Sequence, residues 1–272
     1  MHHFTQVDVF TEDFRYGNPV AVVHDADGLA DDDLAAFARW TNLSETTFLL
    51  PPTDTRADYR LRIFTTSREL PFAGHPTLGS ARAWLEAGGT PKGDDVVQEC
   101  GLGLVPIRRD GARLAFAAPR RLREGPVDEV DLQNVVAGLR VDPAEVVDAQ
   151  WADNGPGWVA LLLRDARTVL DLEPDWDAIP SVGVIGPYPA GSEADFEVRA
   201  FTSLAGREDP VTGSLNAAIA QWLIPAGLAP ERYVAAQGTI LQRRGRVHIH
   251  RDGSDIWVGG DTVVGIRGTV AL

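Results

Sequence analysis

Three side chains in this sequence have types and settings suited to moving a proton. Glu45 stands in TNLSETTF among hydroxyl residues, with Leu43 and Phe48 close by. A carboxyl partly screened by apolar neighbours has its pKa raised toward neutrality, which suits a group that must be base first and acid second. The same residue could also be a surface glutamate opening a strand. His75, in PFAGHPTLG, can donate or accept near neutral pH, or simply bond to loop backbone. Asp209, in REDPVTGS, can orient a hydroxyl or the histidine, or cap the turn before Pro210.

The stretch that must position His75 is Arg62 to Gly88. Its residues alternate as a strand, pass through the polar turn Ser67-Arg68-Glu69, and enter an apolar-periodic helix from about Thr77 to Ala87. The histidine is expected just before that helix, where the first amides lack intrahelical partners and suit an anion. The plan recurs downstream. Arg199-Ala200-Phe201-Thr202 echoes Arg62-Ile63-Phe64-Thr65, and Gly213-Ser214 and Ala226-Gly227 repeat Gly74-His75 and Ala87-Gly88 at one constant offset. The strand match needs a two-residue slip, and a competing register pairs His75-Pro76 with Asp209-Pro210. Two halves of similar plan follow, with the site expected where the two helix N-termini face one another and hold an anion near Gly74 and Gly213.

Around these stretches the chain reads as short strands with one long helix in each half. Asp31-Asp32-Asp33 offers a cap and first-turn negatives for a helix to about Trp40; Val96–Arg108 and Ala112–Ala117 form a hairpin. Trp176–Ile179 reads as a helical fragment. Thr239–Leu241, Asp255–Val258 and Asp261–Ile266 read as separate strands. Without βαβ periodicity the class is α+β rather than doubly wound. Arg120–Val127, charged and carrying Gly125-Pro126, is the linker candidate. It divides an N-terminal half, 1–118, from a C-terminal half, 128–272, whose last strand can pack back on the first.

Composition narrows the function. The 272 residues are 44% hydrophobic and 24% charged, as in a soluble globular protein. A formal charge of −14 leaves no positive field for nucleic acid, and no apolar stretch is long enough for a membrane span. A cytoplasmic location is expected. The single Cys100 gives neither a disulfide nor a thiol pair, and Lys92, the only lysine, sits in an exposed-looking TPKGDD loop ill suited to a Schiff base. His248 and His250 share one strand face but lack a nearby third ligand, so no metal is expected. Gly101-Leu102-Gly103 lies in a strand pattern without the third glycine of a dinucleotide loop, and Gly213-Ser214 is not a nucleophile elbow.

The residues quoted so far, with QVDVFT at Gln6–Thr11, GNPVAVV at Gly17–Val23, ELPFAGHPTLGSA at Glu69–Ala81, EDPVTGS at Glu208–Ser214 and Gln237-Gly238, make the chain similar to the phenazine-biosynthesis (PhzF-like) isomerase family. The likeness runs from the first ten residues to the closing strands. It implies the diaminopimelate-epimerase-like fold: two pseudo-symmetric halves, each a curled, mostly antiparallel sheet around a central helix. It also implies a homodimer that needs no cofactor and acts on a small carboxylate. Glu45 matches the family's acid–base, His75, Asp209 and Ser214 match residues at the reacting end of the substrate, and Gly74 and Gly213 match amides that hold its carboxylate. The family's named reaction isomerises trans-2,3-dihydro-3-hydroxyanthranilate by moving a proton between ring carbons.

Two departures stand out. Members commonly carry proline where this chain has Thr66, and again after the second strand, where Thr202-Ser203 follows Phe201. Racemases of the same fold use two opposed thiols; here Ala73 and Thr212 occupy those positions, which excludes that chemistry. The expected activity is therefore a proton shift on one face of a small cyclic or unsaturated carboxylic acid. The alternative is a non-catalytic small-carboxylate-binding protein.

Overall fold

A computed structural model of the chain describes residues 1–202 and 207–272. It divides into two compact units, one formed by Met1–Ala117 with Gly259–Leu272, the other by Ala118–Val258.

In the first unit, β1 (His2–Val9) pairs antiparallel with β2 (Asn18–Val23), and α1 (Asp31–Thr41) carries the chain to β3 (Thr46–Leu50), parallel to β2. Next, β4 (Tyr59–Phe64) lies antiparallel to β3 and forms a hairpin with β5 (Glu69–Leu70). The central helix α2 (Gly74–Glu86) then crosses to β6 (Val96–Cys100), parallel to β4, and β7 (Gly103–Asp110) and β8 (Arg113–Ala117) complete the meander.

The second unit repeats these steps. Here β10 (Val146–Asp153) and β11 (Val159–Leu163) are antiparallel, and α4 (Ala166–Leu170) leads to β12 (Val182–Pro187), parallel to β11. Antiparallel β13 (Phe196–Thr202) forms a hairpin with β14 (Arg207–Asp209), and α5 (Gly213–Leu223) crosses to β15 (Arg232–Gln237), parallel to β13. Strand β16 (Gly245–Asp252) follows antiparallel. The fold is thus α+β, with a curled, mostly antiparallel sheet around a central helix in each half. Each half also holds two parallel crossovers, which hydrophobic periodicity did not reveal because their helices are short or follow a hairpin.

The hairpins resolve the register of the repeat. Phe64 faces Glu69 in the first and Phe201 faces Glu208 in the second, so two more residues separate the paired positions in the second, which absorbs the slip. Beyond the turns the offset is constant, with Ala73 and Thr212 as the N-caps of α2 and α5. The pairing of His75 with Asp209 is therefore wrong. Thr66 lies in the first turn, which needs no proline because the Thr65 hydroxyl accepts from the amides of Ser67 and Arg68. Ser203 falls outside the described residues.

Several boundaries differ from the sequence reading. The linker candidate holds β9 (Arg123–Pro126), paired with β10, where the Arg123 guanidinium sits 3.3 Å from the centroid of the Trp151 ring. The helix α3 (Glu129–Leu139) follows, N-capped by Asp128. Helix α1 is capped by Ala30, and its three aspartates fill the first turn instead. Gly101-Leu102 is the turn between β6 and β7, Trp176–Ala178 is a turn, and Thr239–Gln242 is a turn rather than a strand. The two closing strands are one, β17 (Asp255–Val270), whose later part pairs with β1.

Helix α2 is buried from Gly74 through Ala81 because it packs onto β1 and β2 with almost no clearance. A Cβ at Gly79 would meet Val20 Cγ1 at 2.3 Å and Val9 Cγ2 at 3.1 Å, and both valines are wholly buried in strands. Gly79→Val is expected to cost about 2–3 kcal/mol by overpacking. Urea unfolding checks this; an unshifted midpoint would mean that the helix rides farther from the sheet.

Candidate active site

The Glu45 corner is nailed down on both sides. Helix α1 ends at Asn42, in the left-handed region at φ 55°, and Glu45 immediately precedes β3. Thr46 Oγ1 hydrogen-bonds Thr41 Oγ1 at 2.7 Å, and Thr47 Oγ1 bonds Ser80 Oγ of α2 at 2.8 Å. The hydroxyl residues around Glu45 thus tie its strand to both helices. Parallel pairing of β3 with β2, Ala21 facing Thr46, brings the start of β2 alongside. There the buried Asp8 carboxylate accepts the amides of Arg15 and Gly17, and a Cβ at Gly17 would lie 2.2 Å from the Val9 carbonyl oxygen. Only glycine fits that turn, and it delivers Asn18 and Pro19 to the site.

His75 is not before the helix but inside its first turn, since α2 begins at Gly74. Proline at the third helical position is compatible with this, because no amide is needed there. The imidazole is buried; its Nε2 lies 3.5 Å from Glu45 Oε2 and its Nδ1 3.4 Å from Asn18 Nδ2. Burial pushes its pKa down to about 3, and a hydrogen bond with the Pro19 backbone only partly opposes this. An enclosed cation is too costly, so near neutral pH the ring is uncharged and acts as a donor or acceptor only. The contact with Glu45 joins a carboxyl group to a neutral ring and is not an ion pair. Glu45 is the more accessible partner, its side chain 15% exposed against 6% for His75.

A pH effect on stability follows. The unfolded imidazole binds a proton near 6.5, whereas the folded one stays neutral to about 3. The unfolded state holds more protons between these values, so this contribution is complete above 6.5 and is lost as pH falls toward 3. Unfolding free energy is expected to fall by roughly 2 kcal/mol from about pH 7 to about pH 5 on account of His75. Buried His24, also lowered by burial, adds its own share. Denaturant titrations should show a shallower pH slope in His75→Gln; an unchanged slope would place the ring in contact with water.

In the second unit, β14 delivers Asp209, whose Oδ2 accepts from the Thr212 hydroxyl at 2.5 Å. Helix α5 begins one residue later, at Gly213. Ser214 is held by two residues that the sequence reading did not single out. Asn154 Nδ2 donates to its carbonyl at 2.8 Å and Trp158 Nε1 to its hydroxyl at 3.3 Å. Both come from the glycine-rich turn after β10, whose Gly155 and Gly157 amides bind Asp153. Neither α2 nor α5 has a side-chain cap or an acid in its first turn, whereas α3 and α4 are capped by Asp128 and Asp165. Amides at the starts of α2 and α5 are thus suited to an anion.

Arg62 and Arg199, at the echoed strand positions, differ in setting. Arg62 joins exposed Asp31 and Glu69, but Arg199 is buried in a two-bond pair with Glu208. A cavity of about 940 Å³ in the first unit is lined by His3, His24, Trp84 and Arg267, beside the C-terminal end of α2. Several polar groups lining it are committed elsewhere: the Asp58 carboxylate accepts the amides of Lys92 and Val97, and the Tyr59 hydroxyl donates to Gln98. It contains neither Glu45 nor His75. Among the described residues no cluster of His, Cys, Asp and Glu is placed to hold a metal ion, and no helix is long and apolar enough to cross a membrane.

Comparison with known proteins agrees with the motifs. The profile of the phenazine biosynthesis-like protein family, PhzC-PhzF, matches residues 7–270. The chain is 35% identical over 295 aligned positions to antisense-enhancing sequence 1 of Schizosaccharomyces pombe, covering 98% of both chains. It is 32% identical to the trans-2,3-dihydro-3-hydroxyanthranilate isomerase of Pseudomonas aeruginosa, covering 93% of this chain and 92% of that one. Among solved structures, a PhzF-family protein of Enterococcus faecalis superposes with a TM-score of 0.81 at 25% identity, covering 100% of this chain and 99% of that one. A predicted epimerase of Pseudomonas aeruginosa gives 0.80 at 26% over the full length of both. A probable proline racemase of Agrobacterium radiobacter, 13% identical with a TM-score of 0.63, shares the fold. The chain belongs to the PhzC-PhzF family and is an isomerase.

Proposed function

We propose that this isomerase, without a cofactor, moves a proton between two carbons of a small cyclic or unsaturated carboxylic acid, in the manner of trans-2,3-dihydro-3-hydroxyanthranilate isomerase. The observation that carries the reading is the Glu45–His75 contact, a partly accessible carboxyl beside a buried neutral imidazole. Glu45 as carboxylate takes the proton from one carbon, the electron pair shifts along the conjugated system, and Glu45 as acid returns the proton at the other carbon. His75, neutral throughout, positions the carboxyl and polarises. Asp209 is assigned to the reacting end of the substrate; Gly74 and Gly213 amides and the Ser214 hydroxyl are assigned to holding its carboxylate.

The test is to incubate a set of dihydroaromatic carboxylates, including trans-2,3-dihydro-3-hydroxyanthranilate, with the protein in deuterated water. Carbon-bound deuterium in at least one is expected. A ligand that binds, with no exchange in any compound, would instead favour a non-catalytic carboxylate-binding protein. Under the same reading the enzyme works as a cytoplasmic homodimer, and sedimentation at the mass of one chain would contradict the dimer.

A further inference from the structure

The side chain of Gln237, wholly buried at the end of β15, uses all of its hydrogen-bonding capacity around the start of α5. Its Oε1 accepts from the Thr212 amide at 3.0 Å and from Asn216 Nδ2 at 2.9 Å. Its Nε2 donates to the Asp209 carbonyl at 3.2 Å and to Thr212 Oγ1 at 3.0 Å. The orientation is not a free choice. A backbone amide can only donate, so the atom facing it is the oxygen; a carbonyl can only accept, so the atom facing it is the nitrogen. Asn216 is fixed in the same way, because its Nδ2 also donates to the Thr212 carbonyl at 2.9 Å. With Gln237 donating to Thr212 Oγ1, the hydroxyl hydrogen goes to Asp209 Oδ2, 2.5 Å away.

We infer that Gln237 is a positioning residue: it sets the direction of the chain Gln237 to Thr212 to Asp209, so that the Thr212 hydroxyl is committed as donor to the Asp209 carboxylate and holds it in one orientation. Its catalytic consequence rests on the reading of Asp209 given above. The network explains why Thr212, at a position where thiol racemases of this fold carry a base, cannot serve as one: its hydrogen is engaged and its oxygen is occupied. It also explains a glutamine followed by glycine. Gly238 has φ 89°, and a Cβ there would lie 2.7 Å from the Pro210 carbonyl oxygen, so the strand end carrying Gln237 packs directly on the Asp209-Pro210 turn. Buried hydrogen-bond networks rigidify the groups they join, and small misplacement of a catalytic group costs much turnover.

The test compares Thr212→Val, Thr212→Ser and Gln237→Glu in the full-length protein, with trans-2,3-dihydro-3-hydroxyanthranilate as probe. Gln237→Glu keeps the acceptor and loses both donations. Proton NMR of the wild type should show a Thr212 hydroxyl signal in slow exchange with water, absent in Thr212→Val and in fast exchange in Gln237→Glu. With the probe, kcat should fall about 10–100-fold in Thr212→Val and Gln237→Glu, with KM within about threefold. Thr212→Ser should restore kcat to within about threefold, and Thr212→Val combined with Gln237→Glu should be no worse than either of those two changes alone. If Gln237→Glu fails to fold, Thr212→Val and Thr212→Ser carry the comparison. A Thr212 hydroxyl in fast exchange in the wild type would overturn the inference, as would wild-type kcat in Thr212→Val or an effect on KM alone. Asp209→Asn separates the two claims: unchanged turnover there removes Asp209 from the chemistry, while the hydroxyl signal still tests the polarity of the network. If the probe is not turned over at all, the hydroxyl signal alone decides.

Discussion

Glu45→Gln is expected to lose isomerisation and solvent-deuterium exchange together, by a factor of at least about 10². Glutamine preserves the size of the side chain and much of its hydrogen bonding at the corner before β3, but it cannot carry a proton. The hydroxyl bonds from Thr46 and Thr47 that fix the corner do not involve the carboxyl group, so fold and ligand affinity should survive. Single-turnover exchange measured from about pH 5 to about pH 8, alongside a binding titration, checks both halves of the statement. Because His75 stays neutral over that range, no second group is placed to take over as an imidazolium. Near wild-type exchange would make Glu45 a strand-opening residue and move the proton carrier elsewhere. Loss of binding together with exchange would make its role structural.

Arg199→Met is expected to destabilise the protein by about 3–5 kcal/mol, because it strands a buried carboxylate. Arg199 Nε and Nη2 bind the two oxygens of Glu208 at 3.0 and 2.8 Å, with both side chains only 4% exposed. Its Nη1 also donates to the carbonyls of Val169, Leu170 and Leu172, at and just beyond the C-terminal end of α4. Arg62 occupies the matching place in the other half, yet its partners Asp31 and Glu69 have side chains 79% and 42% exposed. Arg62→Met should therefore cost only about 0–1 kcal/mol. Adding Glu208→Leu to Arg199→Met should recover much of the loss, since removing both charges removes the unpaired one. Urea unfolding of wild type, Arg199→Met, Arg62→Met and the double variant distinguishes this from simple loss of packing, in which the double variant would be worse than Arg199→Met alone.

The contrast between the two arginines shows what periodicity can and cannot tell. Apolar alternation and turn residues were enough to find most strands, the two central helices and the repeat itself. The motifs around Glu45, His75 and Asp209 also stood out in the sequence, and the structure sets Glu45 beside His75. Burial of Arg199 was not legible, since nothing local distinguishes it from Arg62; its enclosure comes from α4, a five-residue helix with little pattern of its own. The start of α2 is Gly74 rather than about Thr77, so Pro76 lies within the first turn, where proline is tolerated. Charge and Gly125-Pro126 suggested a linker where pairing with β10 and stacking on Trp151 make a strand. The Gln237 network joins residues from three elements, so only the fold assembles it.

If one carboxyl, that of Glu45, both removes and returns the proton, the two events must occur on one face of the substrate. The most direct measurement is the stereochemistry of a single turnover in deuterated water. It compares the face from which hydrogen leaves a stereospecifically labelled dihydroaromatic carboxylate with the face at which deuterium enters the product. Removal and delivery on the same face is the predicted result, with both lost in Glu45→Gln. Delivery to the opposite face would require a second acid and would contradict the single-carboxylate mechanism.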